Sequence, residues 1–185
     1  MALAFLSACS LLSPPQNKPP QASQSAEWIP FAPPLGPSRR IVQEITAKWQ
    51  DRQETILCVL ELDERHIAIA GLSGDGISLF NINYDGKKVD MDKSPLLPSG
   101  FSPEFMVKDL QLAYWPLAEL QKRLSKQWRL EADDKQRRLY FDSGKYVDVD
   151  YLQPDPNWAK SVVLTNHRYH YQLHIKTISY ETVPE

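Results

Sequence analysis

ETILCVLELDE (54–64), RHIAIAGLS (65–73) and GISLFNINYDG (76–86) decide the fold. Each is a short run rich in Ile, Leu, Val and Phe, bounded by polar or glycine turns. Runs of that length and composition read as strands of an antiparallel meander. In the middle of the meander both alternating faces are apolar: Ile56, Cys58 and Leu60 against Leu57 and Val59, and Ile67 and Ile69 against Ala68 and Ala70. A sheet with one face in water alternates apolar with polar residues. Something must therefore cover the second face, whether helices, a second sheet or a hydrophobic ligand.

Outward from this stretch the pattern continues. Upstream, RRIVQEITAKWQ (39–50) sets Ile41, Ile45, Ala47 and Trp49 against Arg40, Glu44, Thr46 and Lys48, a period of two. Downstream, residues 86–100 read as a polar, then proline-flanked loop, in which Leu96 and Leu97 stand out as exposed apolar residues for membrane or partner contact. Ser102 and Pro103 read as an N-cap and first-turn proline for a helix through Phe105, Met106, Leu110 and Ala113; Pro116 opens another through Leu117, Leu120 and Leu124. Strand periodicity returns in WRLEA (128–132), QRRLYFDS (136–143), KYVDVDYL (145–152), SVVLTNH (161–167) and RYHYQLHIKTISY (168–180). The order of strands, two helices and strands predicts an α+β domain in which the helices cover the apolar sheet face.

Composition narrows the class. The chain has 185 residues, 42% hydrophobic and 24% charged, enough for one globular domain with a sizeable core. A net charge of -2 with interspersed signs offers no basic footprint for nucleic acid. No apolar run approaches the roughly 18 to 20 residues that span a bilayer.

At the amino terminus, Leu6, Ser7, Ala8 and Cys9 read as a lipobox, with Ala2 to Leu6 as its apolar approach and small residues at the cleavage side. Cys9 is the expected lipid attachment site. The apolar stretch is short and carries no Lys or Arg before Cys9, which points to a clipped or wrongly assigned start; an apolar tail that happens to hold a cysteine is the plainer alternative. The next stretch, SPPQNKPPQASQSAEWIPFAPPLGP (13–37), is expected to be an extended, solvated tether. The expected organisation is a truncated signal segment (1–8), a lipidated tether (9–38) and one domain (39–185). Cys58, with no disulfide partner once Cys9 is lipidated, packs as a small hydrophobe.

No catalytic or metal constellation stands out. The turn Gly71, Leu72, Ser73, Gly74, Asp75, Gly76 lacks the glycine that a nucleophile elbow needs two residues after its serine, and it leads into a strand, not a helix. It is a hairpin turn. Read as one strand, 168–180 puts His170 and His174 on its polar face roughly 13 Å apart, too far to share an ion. Asp148 and Asp150 share an outer face, where they pair across strands with Arg or Lys. No cofactor is expected.

The lipobox, Pro/Gln tether, GLSGDGISLF hairpin, two helices and further strands together resemble a family of uncharacterised lipoproteins of Gram-negative bacteria. Its members are often encoded among aryl polyene or related fatty-acid-type biosynthesis genes. That pattern is in turn similar to the lipoprotein-localisation factors LolA and LolB. The resemblance implies an unclosed, curved antiparallel half-barrel with helices as a lid over a hydrophobic cavity, and lipid on Cys9. Ser10, which is not aspartate, implies delivery to the outer membrane under the familiar sorting rule. The chain departs from LolB in its turn 73–76, which is short and polar where that receptor carries a protruding apolar residue; Leu96 and Leu97 are the substitutes at hand.

The resulting expectation is an outer-membrane lipoprotein facing the periplasm that binds an acyl chain or similar lipid, with a LolA-like carrier as a partner and no catalysis. The expected cavity lining is Ile56, Leu60, Ile67, Ile69, Leu79, Phe80, Phe105, Met106 and Leu110. For each residue singly, a place in a dry filled core is the competing role. The rival functions are an assembly lipoprotein that binds another envelope protein through a sheet edge or through Trp28, Phe31 and the proline-rich segment, and an enzyme acting on a lipid or polyene.

Overall fold

The computed structural model describes residues 29–97 and 101–184. The alternation in 39–50 builds the central strand, β1 (Arg39–Trp49), which turns straight into β2 (Arg52–Leu62) and pairs on its other side with the last strand, β10 (Tyr171–Thr182). From β2 the sheet grows through β3 (Ile67–Leu72) and β4 (Ser78–Tyr84) to the edge strand β5 (Val89–Lys93). From β10 it grows through β9 (Ser161–Asn166), β8 (Gly144–Gln153) and β7 (Gln136–Phe141) to the other edge, β6 (Trp128–Ala132). All neighbours are antiparallel. The two helices, α1 (Pro103–Tyr114) and α2 (Leu117–Gln121), lie between β5 and β6 in the chain. The architecture is α+β, one ten-stranded, unclosed antiparallel sheet with two helices.

Curvature follows from what α1 touches. The helix contacts both β5 and β9, which lie six strand steps apart in the sheet. In a flat sheet six steps span about 29 Å, whereas a 12-residue helix such as α1 is only about 18 Å long. The sheet must curl around α1. The concave face carries the core: Ile41, Leu60, Ile69 and Ile82 lie side by side in register, and on the other wing Leu173, Leu164 and Val149 do the same, all buried.

The β3–β4 hairpin is the glycine turn expected from 71–76. Ser73 and Ile77 close it, with Gly76 in the left-handed region at φ 78°. Gly71 has a different role. A Cβ there would lie 2.3 Å from the Phe80 ring of its register partner, so only glycine lets that ring fold flat into the core.

Both faces of the meander are apolar, yet the helices cover only one. Val42, Val59 and Ala70, and beside them Leu57 and Leu72, form a half-buried stripe on the convex face.

Three expectations need correction. The stretch 86–100 contains the edge strand β5; Val89 and Met91 alternate there with Asp90 and Asp92, and Lys93 ends the strand, and such charges on an edge both hide the strand pattern and deter edge pairing. The last strand begins at Tyr171, not Arg168, because 167–170 form a turn with His170 at φ 56°. Finally, the proline-rich stretch is not solvated throughout: Ile29, Ala32 and Pro34 are buried, and residues 29–37 run as a strap against α1 and the sheet. Prolines cannot join a ladder, but their carbonyls accept hydrogen bonds, and the strap uses them. Trp115 Nε1 donates to Pro33 O (2.9 Å), and Arg39 Nη1 donates to Leu35 O (3.0 Å) and Pro37 O (2.8 Å).

Candidate functional site

Pro103 and Pro116 delimit α1. Ser102 takes the extended N-cap conformation expected of it, but its hydroxyl donates to Glu104 (2.6 Å) and caps no backbone N–H. Pro116 ends the helix. The carbonyls left over at its carboxyl end are met from the sheet: Arg137 Nη1 on β7 donates to Leu112 O and Trp115 O (2.8 Å each), and Tyr151 Oη on β8 donates to Ala113 O (2.5 Å). A half-buried cation at the negative end of a helix also interacts favourably with its dipole. On the strap side, Gln111 pairs with one backbone unit: Ala32 N donates to its Oε1 (2.9 Å) and its Nε2 donates to Ala32 O (2.7 Å). The carboxyl half of α1 is thus gripped by polar bonds on both flanks. In its amino half Phe105 packs against Tyr169 and Tyr171, Asp109 accepts a hydrogen bond from Tyr171, and the Lys108 ammonium lies over the Phe31 ring of residues 29–37.

Beneath α1 lies a cavity walled by Met106, Asp109, Leu110 and Tyr114 from the helix and by Gln43, Ile45, Cys58, Leu60, Ile69, Leu173 and Ile175 from the sheet. Its free volume is about 20 Å³, room for about one water, and its surface is almost wholly apolar. Drug-sized ligands occupy roughly 300–1,000 Å³, so the cavity as it stands is far too small for one.

Two polar pairs interrupt this wall. Gln43, 1% exposed, donates from Nε2 to Tyr114 Oη (2.9 Å) and Thr177 Oγ1 (3.3 Å). Asp109, buried on α1, accepts a hydrogen bond from Tyr171 Oη (2.6 Å), and Asn166 Nδ2 donates to that same hydroxyl (3.2 Å). Burial pushes the Asp109 carboxyl up to about 7, against the opposing pull of the Tyr171 bond and of Lys108. It also pushes the Cys58 thiol up to about 12, so this free cysteine is held as the neutral thiol while it stays buried.

Of the residues expected to line a cavity, Leu60, Ile69, Met106 and Leu110 meet around this one. Ile67 and Phe80 are buried elsewhere in the core, and Ile56, Leu79 and Phe105 are half-buried beside it. Leu96 is 68% exposed, while Leu97 packs against the core. Cys9 and Trp28 lie outside the described residues.

Sequence reading passed over Gln43, Asp109, Tyr114 and Tyr171. Two of these carried a signal: Gln43 occupies an inward slot between Ile41 and Ile45, and Asp109 falls on the stripe of Met106, Leu110 and Ala113. A polar residue at a core position needs a partner.

Elsewhere, Asp148 meets Arg138, Lys145 and His167 on the convex face, and Asp150 meets Arg138, as cross-strand pairing requires. Burial raises the Asp148 carboxyl, but bonds from His167 and Lys145 and the charge of Arg138 outweigh it, so it sits below its ordinary value. Among the described residues, no three His, Cys, Asp or Glu side chains group to hold a metal ion, and no helix is long and apolar enough to cross a membrane.

Comparison with known proteins gives one family. Residues 40–179 match the family model described as "Protein of unknown function (DUF3261)". No curated protein matches the chain. Among solved structures the chain is similar to a LolA superfamily protein from Nitrosomonas europaea (7% identity, TM-score 0.45, covering 80% of this chain and 87% of that one). It is also similar to a protein from Vibrio parahaemolyticus titled as an outer membrane lipoprotein-sorting protein domain (12% identity, TM-score 0.44, covering 79% and 85%).

Proposed function

The chain belongs to the DUF3261 family, and we propose that this member is a lipid-anchored envelope protein that takes an acyl chain or similar lipid between its curved sheet and α1. Its work is carriage across the periplasm or insertion at the outer membrane, not catalysis. Lipid on Cys9 anchors it to the outer membrane facing the periplasm, and a LolA-like carrier is its partner in transfer. The observation that supports this reading is the cavity beneath α1, lined mainly by apolar side chains from both the helix and the sheet. In water an acyl chain costs about 0.8 kcal/mol per exposed CH₂. A roof that lifts and reseals lowers that cost during transfer.

Cys58 reports the lifting. It lines the cavity and is fully buried, so a small neutral maleimide reaches it only when α1 moves. Labelling should be slow, and an excess of a lipid that fills the cavity should slow it further. Labelling that is equally slow with every lipid tried, together with no uptake of a fluorescent acyl probe, counts against the reading.

A second reading is favoured by one observation, the half-buried apolar stripe of Val42, Leu57, Val59, Ala70 and Leu72 on the convex face. In that case the protein is an assembly lipoprotein docking another envelope protein through this face. Substituting Val59 by Asp would then abolish a complex while leaving acyl-probe uptake intact.

A further inference from the structure

Besides the Gln43–Tyr114 pair, the mainly apolar cavity wall is interrupted by Asp109, which meets Tyr171 across the seam between α1 and β10. Asp109 belongs to the helix and Tyr171 to the sheet, joined by a 2.6 Å hydrogen bond. Resting on the reading above, we propose that this pair selects the ligand's head group: the cavity takes single-chain amphiphiles with a hydroxyl- or amide-bearing head and excludes free fatty-acid carboxylates.

Hydrogen-bond balance sets this preference. With about 20 Å³ free, an acyl chain must lift α1 off the sheet, which separates Asp109 from Tyr171. Each buried group left without a partner then opposes binding. Tyr171 offers a hydroxyl donor and an ionised Asp109 offers only acceptors, so the group inserted between them must accept from one and donate to the other. A hydroxyl does both, and so does a secondary amide. A carboxylate satisfies Tyr171 but brings a second acceptor and a like charge against Asp109, in a site with little water to screen them.

The surroundings do not offset this repulsion. Asn166 on β9 is turned to the Tyr171 hydroxyl, and Gln43 on β1 is committed to Tyr114 and Thr177. The cation acting on Asp109 is its neighbour Lys108, whose ammonium sits 4.7 Å over the Phe31 ring of the strap. Among the described residues that line the cavity, none carries a positive charge.

The test uses the full chain and the neutral probe N-phenyl-1-naphthylamine, displaced at about pH 8 by laurate, monolaurin and lauroylethanolamide, which share one acyl chain. Monolaurin and lauroylethanolamide should displace the probe at concentrations at least about tenfold lower than laurate does. In Asp109→Asn the amide can donate to a carboxylate, so laurate should gain about tenfold and the discrimination should collapse. Laurate and monolaurin displacing equally from the unaltered chain overturns the head-group assignment while leaving the cavity reading standing; that comparison does not depend on the variant folding. Laurate discrimination unchanged in a folded Asp109→Asn chain overturns it as well. Failure of the probe or of every lipid to bind removes the cavity reading, and the head-group assignment falls with it.

Discussion

Replacing Asp109 by Asn separates the cost of burying a charge beneath α1 from everything else that depends on pH. Asn keeps an acceptor for the Tyr171 hydroxyl, so the hydrogen bond survives and the volume is unchanged. The carboxyl sits at about 7 in the fold, against an ordinary value of 3.8. A carboxyl raised by folding is protonated in the native state while already ionised in the unfolded chain. The native state therefore binds more protons, and this group's contribution to stability falls as pH rises from about 4 to about 7. Between about pH 5 and pH 7.5 roughly two pH units of that window are crossed, at about 1.4 kcal/mol each, for a loss of about 2.5 kcal/mol. Staying at or below about pH 7.5 also keeps Lys108, itself lowered to about 8 by burial, mostly charged. Urea unfolding followed by tryptophan fluorescence at the two pH values gives the comparison. The variant should gain about 2.5 kcal/mol on the native chain in going from the lower to the higher pH. A gain below about 0.5 kcal/mol, or one of opposite sign, would refute the burial of this carboxyl.

Other substitutions test the parts that hold the roof. Arg137→Met strips the carboxyl end of α1 of two charge-assisted bonds and should cost about 2–4 kcal/mol in urea unfolding; a loss under about 0.5 kcal/mol would mean that α1 does not need this grip. Gln111→Leu leaves the Ala32 amide buried without its partner, worth about 1–3 kcal/mol. The strap 29–37 should then be cut by a protease well before the sheet, and an uncut strap would contradict its dependence on Gln111. Gly71→Ala drives a methyl into the Phe80 ring and should lower the unfolding midpoint by the equivalent of about 1–3 kcal/mol, whereas a neutral outcome would show that the ring can move aside.

The fold was legible because its signals are local. Ile41, Ile45, Ala47 and Trp49 on one face of an alternating run, the glycine turn at 71–76, and the prolines that open and close α1 at 103 and 116 each announce an element without reference to the rest of the chain. β5 was hidden because a five-residue edge strand with Asp90, Asp92 and Lys93 looks like a loop to any reading based on apolar alternation. The strap was hidden for a different reason. Prolines announce an extended chain, but whether that chain is wet depends on Gln111 and Trp115, some 80 residues away, reaching its carbonyls.

The site divides the same way. Leu60, Ile69, Met106 and Leu110 could be named from periodicity, since an inward aliphatic residue walls whatever lies inside. Neither the Asp109–Tyr171 pair nor the Gln43–Tyr114 pair could be assembled, because each joins residues more than 60 positions apart. The sequence did hold the anomaly: a carboxylate on an apolar helical stripe and an amide at an inward strand position.

Whether the space beneath α1 carries a lipid is decided by isolating the protein from a Gram-negative envelope without detergent and analysing an organic extract by mass spectrometry. A carrier should yield about one non-covalently held single-chain species per protein, with a hydroxyl or amide head, displaced when Leu60→Trp fills the cavity. An extract with no stoichiometric lipid, from a chain that also takes up no fluorescent acyl probe, would contradict carriage and favour the docking reading of the half-buried convex stripe.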